Sequence, residues 1–294
     1  MRHIIPISGK DSLATAIVQM HRAPSLPYEF LFCDVAMELP ETYAWLDNVE
    51  RRLGIEIVRI GKSLEQVIAE QNMLPSAHRR FCTKYGKIFP IRDYLGDDDA
   101  TQYIGIRADE DRVGGTFPDN ITPIYPLVEC GWKLEEVYNL LESRGFTPPS
   151  FFWQRMKDAV TSRCDRETLR LLSQDIPWWR HDELFAWRSR SNCYMCFYQR
   201  RYEWVGLLEH HPRLFDRAEA IENRYGRIHN NETRVKDFYW SKDLPLSLIR
   251  ERSGQIFDNR AKVILKTLQE MQQGLLFPVH EPLALTSCGI YCGK

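Results

Sequence analysis

Apolar positions in the first third of the chain alternate between two spacings. Residues 3–7 (HIIPI) form an apolar run of strand length, and residues 11–20 (DSLATAIVQM) set Leu13, Ala16, Ile17 and Met20 on one helical face. Residues 28–35 (YEFLFCDV) predict a second strand. Pro40 and Glu41 then open a helix whose Leu46, Val49 and Leu53 share a stripe, and Gly54 ends it. A third strand over 55–60, a third helix beginning over 64–69 and a fourth strand over 103–106 continue the alternation. Strands that take turns with amphipathic helices predict an α/β fold, a parallel sheet with crossover helices on both faces. Ligands of such sheets sit beyond the carboxyl ends of the strands, so polar residues just after each strand are the first candidates for chemistry.

After Pro126 the pattern becomes mainly helical, with stretches around 134–143, 166–174, 198–209 and 214–224 joined by connections such as Pro177-Trp178-Trp179. This places a boundary near residue 130, between an α/β region (1–130) and a mainly helical region (131–294). With 44% apolar and 27% charged residues the chain is of globular composition. Its net charge of −1 excludes coating nucleic acid by bulk charge. Neutrality fails locally: residues 71–92 hold Arg79, Arg80, Lys84, Lys87 and Arg92 without one Asp or Glu, and an anion is expected there. No run approaches the ~20 apolar residues that span a bilayer, and the run over 4–7 is too short for a secretory leader. No membrane partner and a reducing, cytoplasmic setting are therefore expected, in which the eight cysteines are thiols available for metal or sulfur chemistry.

Four segments carry candidate chemistry. Ser8, Gly9, Lys10, Asp11 and Ser12 lie between the first strand and first helix, where backbone amides, the helix dipole and Lys10 favour a phosphate; a tight turn with Asp11 as a cap is the plainer alternative. Asp34 ends the second strand and can meet a ribose, a metal ion or its own loop, while Glu41 and Thr42 suit N-terminal capping. In the basic window Cys82 lies among cations that favour its thiolate and would equally suit sulfate or phosphate, against a solvated basic face over a buried thiol. Gly105, Arg107 and Arg112 follow the fourth strand. There the glycine allows close backbone approach and the arginines can clamp phosphate oxygens, or else pair with Asp109 and Asp111.

In this order the segments resemble the phosphoadenosine phosphosulfate (PAPS) reductase family, within the adenine nucleotide α-hydrolase group that includes the PP-loop ATP pyrophosphatases. The family's SGGKDS is similar to residues 8–12, its DTGxxxPET to 34–42, its CTxxxKxxP to Cys82, Thr83, Lys87 and Pro90, and its GxRxxE/SxxR to Gly105, Arg107 and Arg112. The loop here is one residue shorter, and Val35-Ala36 replace Thr-Gly. The resemblance implies a five-stranded, Rossmann-like sheet of the HUP type that binds an adenine nucleotide, ATP with Mg or PAPS, through Ser8 to Ser12. Two reactions follow from it. Sulfurtransferase members, such as those of DNA phosphorothioation, cleave ATP between the α and β phosphates, adenylylate an acceptor and let sulfur displace AMP. Reductase members attack a sulfonucleotide with a C-terminal cysteine of an ECGxH motif and release sulfite.

Cysteines of the second half add a third element. Cys193 and Cys196 form a CxxC, and Cys288 and Cys292 close the chain. Four soft donors in these two pairs suit zinc or an iron–sulfur cluster, and the sulfurtransferase relatives carry a four-iron cluster. Ser287-Cys288-Gly289 is also similar to ECGxH, which makes Cys288 a candidate nucleophile as well as a ligand. Lys10, Asp11, Cys82 and Cys288 are thus the candidate catalytic residues. Cys33 reads as core, and Cys130 and Cys164 have no assignment. The leading expectation is the ATP-dependent sulfur-transfer enzyme, with a nucleic-acid acceptor and a sulfur-donor protein as partners. A thiol-dependent sulfonucleotide reductase comes second. A non-catalytic nucleotide or nucleic-acid binding module comes third, resting on a local +4 over residues 155–201.

Overall fold

The computed structural model describes residues 1–111, 117–230 and 234–274. The α/β part runs β1 (Arg2–Pro6), α1 (Lys10–Arg22), β2 (Tyr28–Cys33), α2 (Pro40–Leu53), β3 (Ile57–Ile60), α3 (Leu64–Gln71), α4 (Phe81–Thr83), a π-helical turn (Lys84–Ile88), α5 (Phe89–Leu95), β4 (Ala100–Tyr103) and β5 (Ile121–Ile124). The strands form one sheet in the order β3-β2-β1-β4-β5 with every pairing parallel. Period two serves both faces. Ile5, Phe30 and Phe32 pack under Leu13 and Ile17 of α1 and Trp45, Leu46 and Val49 of α2, whereas Ile4, Leu31 and Cys33 pack with Ile91 and Leu95 of α5 on the other side. Pro40 opens α2 at a position whose amide needs no partner, and Gly54 closes it in the left-handed conformation, φ 64°, its N–H donating to Glu50 O. The fourth strand occupies 100–103 rather than 103–106, because the chain turns at Ile104 and Gly105 into the loop that approaches α1.

Short α6 (Pro126–Glu129) and α7 (Leu134–Ser143) follow. Leu127, Val137, Leu141 and Phe146 join the core of α1 and α2, so the α/β core continues past residue 130. Beyond it lie α8 (Gln154–Thr161), α9 (Arg166–Arg170) with a second π-helical turn (Leu171–Asp175), α10 (Trp178–Leu184), α11 (Arg201–His210), α12 (Pro212–Tyr225), the hairpin β6 (Arg227–Asn230) and β7 (Arg234–Asp237), α13 (Leu246–Glu251) and α14 (Ser253–Gln272). Trp153, Trp187, Trp204 and Trp240 are fully buried among these helices. The same core takes in Val35, Met37 and Leu39 from the loop after β2 and Leu64, Val67 and Ile68 of α3. That shared burial fixes the helical layer against the carboxyl edge of the sheet. Among the described residues no helix is long and apolar enough to cross a membrane.

Candidate functional site

The loop after β1 folds on the hydroxyl of Ser12. Ser12 Oγ accepts the amides of Ser8 (2.9 Å) and Gly9 (3.1 Å) and donates to Gly9 O (2.9 Å). Those two amides therefore turn onto the loop itself, and the pull on an anion falls to the first turn of α1, whose amides a helix cannot satisfy internally, and to Lys10. Lys10 Nζ stands 3.7 Å from Asp11 Oδ2 and 5.8 Å from the Tyr138 ring.

Gly105 and Arg107 act on this turn from β4. A Cβ on Gly105 would lie 2.8 Å from Asp11 C and from Ser12 N, so only glycine lets the β4 loop lie against the start of α1. The close approach is to α1. Arg107 is 5% exposed and meets three carboxylates: Asp11 Oδ1 at 2.9 Å, Asp109 Oδ1 at 2.8 Å and Glu110 Oε1 at 3.2 Å. Burial works against its charge, and the carboxylates, Asp11 foremost, outweigh burial. Arg107 thus works through Asp11 instead of offering an open fork to phosphate. Arg112 lies outside the described residues.

A cleft of about 410 Å³ opens between the carboxyl ends of β1 and β4, where the strand order reverses. Ser8 to Ser12 and Gly105 line one side; residues 147–151, Trp178, Trp179 and the strip 188–192 line the other. Tyr138 stacks on Trp179, with centroids 5.0 Å apart and planes at 10°, and donates its hydroxyl to Glu183 Oε1 at 3.1 Å. Trp178 meets the same ring edge-on at 5.8 Å and remains 37% exposed. This aromatic wall was read from the sequence only as a connection; the Pro-Trp-Trp triplet was the available signal.

Asp34 holds its own loop: Oδ1 accepts the Ala36 amide at 2.7 Å and the Tyr43 hydroxyl at 2.8 Å. Ala36, at the family's glycine position, adopts φ 56°. Further along, Glu38 is buried and its Oε2 has no hydrogen-bond partner. Burial pushes its carboxyl upward, against the pull of Lys87 and Arg188. It lines a small side pocket of about 40 Å³ together with Ser8, Cys33, Lys87 and Ser191. That pocket shares Pro6, Ser8 and Ser191 with the large cleft. Cys33 is core, its thiol pushed up to about 12 by burial.

The basic window does not converge on one anion. Arg80 stands over Tyr198 (5.7 Å), Lys84 and Arg92 over Phe89 (5.1 and 4.4 Å), and Arg79 reaches Met73 Sδ at 3.6 Å, while Lys87 lines the side pocket. The π-helical turn at Lys84–Ile88 lies within this window, and Lys84 and Arg92 share the Phe89 ring. Cys82 is half-buried against the helical core. The +4 of residues 155–201 is partly internal, since Arg188 is buried, and partly balanced at the surface, where Arg155 pairs with Glu209 at 2.7 Å.

Cys193 and Cys196 sit on a tight turn closed by the Cys196 amide on Cys193 O at 3.0 Å. The buried guanidinium of Arg188 donates to Cys193 O (2.8 Å), Asn192 Oδ1 (2.8 Å) and Gln199 Oε1 (2.9 Å), and the Tyr194 amide donates to Met37 O at 2.8 Å. One arginine therefore shapes both the cleft strip 188–192 and the thiol turn, and the turn is tied to the loop that carries Glu38. Among the described residues no group of three or more His, Cys, Asp or Glu side chains is placed to hold a metal. Cys288 and Cys292 lie outside the described residues.

The model of the phosphoadenosine phosphosulfate reductase domain matches residues 2–157. Two uncharacterized proteins of Methanocaldococcus jannaschii are similar to the chain. One is 24% identical over 238 residues, 79% of this chain and 44% of its own length. The other is 20% identical over 265 residues, 86% of this chain and 54% of its own. The chain spans about half the length of the curated relatives it matches. A solved phosphoadenylyl-sulfate (PAPS) reductase from Candida auris, in a phosphate complex, aligns over 51% of this chain and 76% of its own, with 16% identity and a TM-score of 0.40.

Proposed function

This chain belongs to the phosphoadenosine phosphosulfate reductase domain family, and we propose that it is a nucleotide-activating sulfur-transfer enzyme of the ATP-pyrophosphatase type. An acceptor oxygen attacks the α phosphorus of ATP, the bond to the bridging oxygen breaks, and pyrophosphate leaves with that electron pair. Sulfur from a donor protein then displaces AMP from the acceptor. The observation that carries this reading is the placing of Lys10 and the first turn of α1 in the wall of a 410 Å³ cleft, a volume suited to a nucleotide. Lys10 and the helix dipole stabilise charge on the departing pyrophosphate. Asp11, steered by Arg107, is the carboxylate on the phosphate side and would hold Mg²⁺, which needs only one or two protein carboxylates beside phosphate oxygens. Bound Mg²⁺ supplies further charge neutralisation there. The basic side chains of residues 155–201 that remain at the surface support a polynucleotide acceptor.

Cys193 and Cys196, presented on one turn, are two ligands of the metal or iron–sulfur site assigned to Cys193, Cys196, Cys288 and Cys292. A second reading, sulfonucleotide reduction by a thiol of Cys82 or Cys288, is favoured by the family's own description. Pyrophosphate release from ATP measured beside sulfite release from PAPS separates the two. Lys10→Ala is expected to slow pyrophosphate release about a hundredfold. Turnover of PAPS alone would overturn the first reading.

A further inference from the structure

We infer that Glu38 reads the ribose hydroxyl edge of the bound nucleotide and excludes nucleotides that carry a phosphate there. The inference rests on the nucleotide reading above and adds the form of nucleotide selected.

Position comes first. Strands β1 and β2 are parallel neighbours; the phosphate-side loop follows β1, and Glu38 follows β2, on the same carboxyl edge of the sheet. In doubly wound sheets a carboxylate beyond the second strand accepts the ribose hydroxyl of a nucleotide whose phosphates rest on the first helix, and a ribose phosphate requires a cation in its place. Satisfaction comes second. Glu38 is 8% exposed and lines the side pocket, and its Oε2 has no hydrogen-bond partner. A desolvated carboxylate oxygen is costly to leave unpaired, and a hydroxyl entering from the cleft supplies the proton it lacks. Size is the third point. At about 40 Å³ against the cleft's 410 Å³, the pocket has room for a hydroxyl and a few waters but not for the body of a nucleotide. Charge points the same way, because Glu38 places a carboxylate in the pocket that Lys87 also lines, where an entering phosphate meets like charge.

The test uses the full chain and isothermal titration with AMP, 2′-deoxy-AMP, 3′-deoxy-AMP and adenosine 3′,5′-bisphosphate. AMP is expected to bind at least about tenfold more tightly than the bisphosphate, and loss of the hydroxyl that meets Glu38 is expected to weaken AMP by about tenfold. Glu38→Gln, which removes the charge and keeps an acceptor oxygen, is expected to bring the AMP-to-bisphosphate ratio near one. The analogue series on the unaltered protein decides the matter even if the variant fails to fold. Equal or tighter binding of the bisphosphate, or indifference to both deoxy analogues, would overturn the inference while leaving nucleotide binding intact. Absence of any AMP or ATP binding would overturn the nucleotide reading, and this inference with it.

Discussion

Arg107 Nη1 donates to Asp11 Oδ1 across 2.9 Å, linking the loop after β4 to the first turn of α1. The two residues are 96 positions apart. Asp109 and Glu110 hold the same guanidinium from its own loop, so one buried cation balances three carboxylates beside Lys10. Removing it takes from three largely desolvated carboxylates the cation that meets all of them. Arg107→Met is expected to cost about 3–5 kcal/mol, read by urea denaturation. A loss below about 1 kcal/mol would show that these carboxylates find water instead and that Arg107 does not organise the turn.

How much of this was legible in the sequence depends on how local each signal is. Four strands and the three helices α1, α2 and α3 declared themselves because period two and period 3.6 differ over short windows. The fifth strand, Ile121–Ile124, did not emerge from periodicity: it has four residues with Pro123 among them, a residue tolerated because β5 lies at the sheet's edge. The segment Ser8 to Ser12 was legible as a candidate phosphate site from its place after a strand. That Ser12 Oγ takes the Ser8 and Gly9 amides for itself was not, since SGKDS is equally consistent with either arrangement. Arg107 was expected at phosphate because nothing near it in sequence names Asp11 as its partner. Trp178 comes to line the cleft, and Glu38 the side pocket, only through tertiary packing of the helical layer on the sheet edge.

Ala36 gives a stability prediction from backbone geometry alone. Its φ of 56° is held by the Asp34 carboxylate on its amide, and a left-handed alanine costs roughly 1–2 kcal/mol relative to right-handed backbone. Glycine removes that strain and returns roughly 0.5–1 kcal/mol of it as greater freedom in the unfolded chain. Ala36→Gly is therefore expected to raise stability by about 0.5–1 kcal/mol, measured as a rise in Tm. An unchanged or lower Tm would place the loop's preference elsewhere than in φ.

Glu222 provides a pH dependence. Its carboxylate accepts the amides of Trp240 and Leu246, each at 2.7 Å, and burial lifts its pKa from 4.5 to about 7. A folded-state value above the unfolded one means that folding favours the protonated form. The associated stability is fully present below pH 4.5 and is lost as pH rises through 7, by about 3 kcal/mol in total. Glu222→Gln cannot titrate, so its stability relative to the parent chain is expected to improve steadily from pH 4 to pH 8. The two chains should be compared by chemical denaturation across that range, and parallel pH profiles would refute the assignment.

The thiol turn carries the last prediction. Cys193 and Cys196 are held by the turn itself and by Arg188, whose guanidinium donates to Cys193 O. A tetrahedral site built from two cysteine pairs loses affinity when either member of a pair is replaced, because serine oxygen is a poor ligand for soft metals and for iron–sulfur clusters. Protein purified without oxygen is expected to carry zinc or a visible cluster absorbance, and Cys193→Ser and Cys196→Ser are each expected to abolish it. Arg188→Lys tests the frame around the turn: a single ammonium cannot span Asn192, Cys193 and Gln199 together, and metal content should fall while the chain stays folded. Metal content unchanged in both cysteine variants would remove these two residues from any metal site.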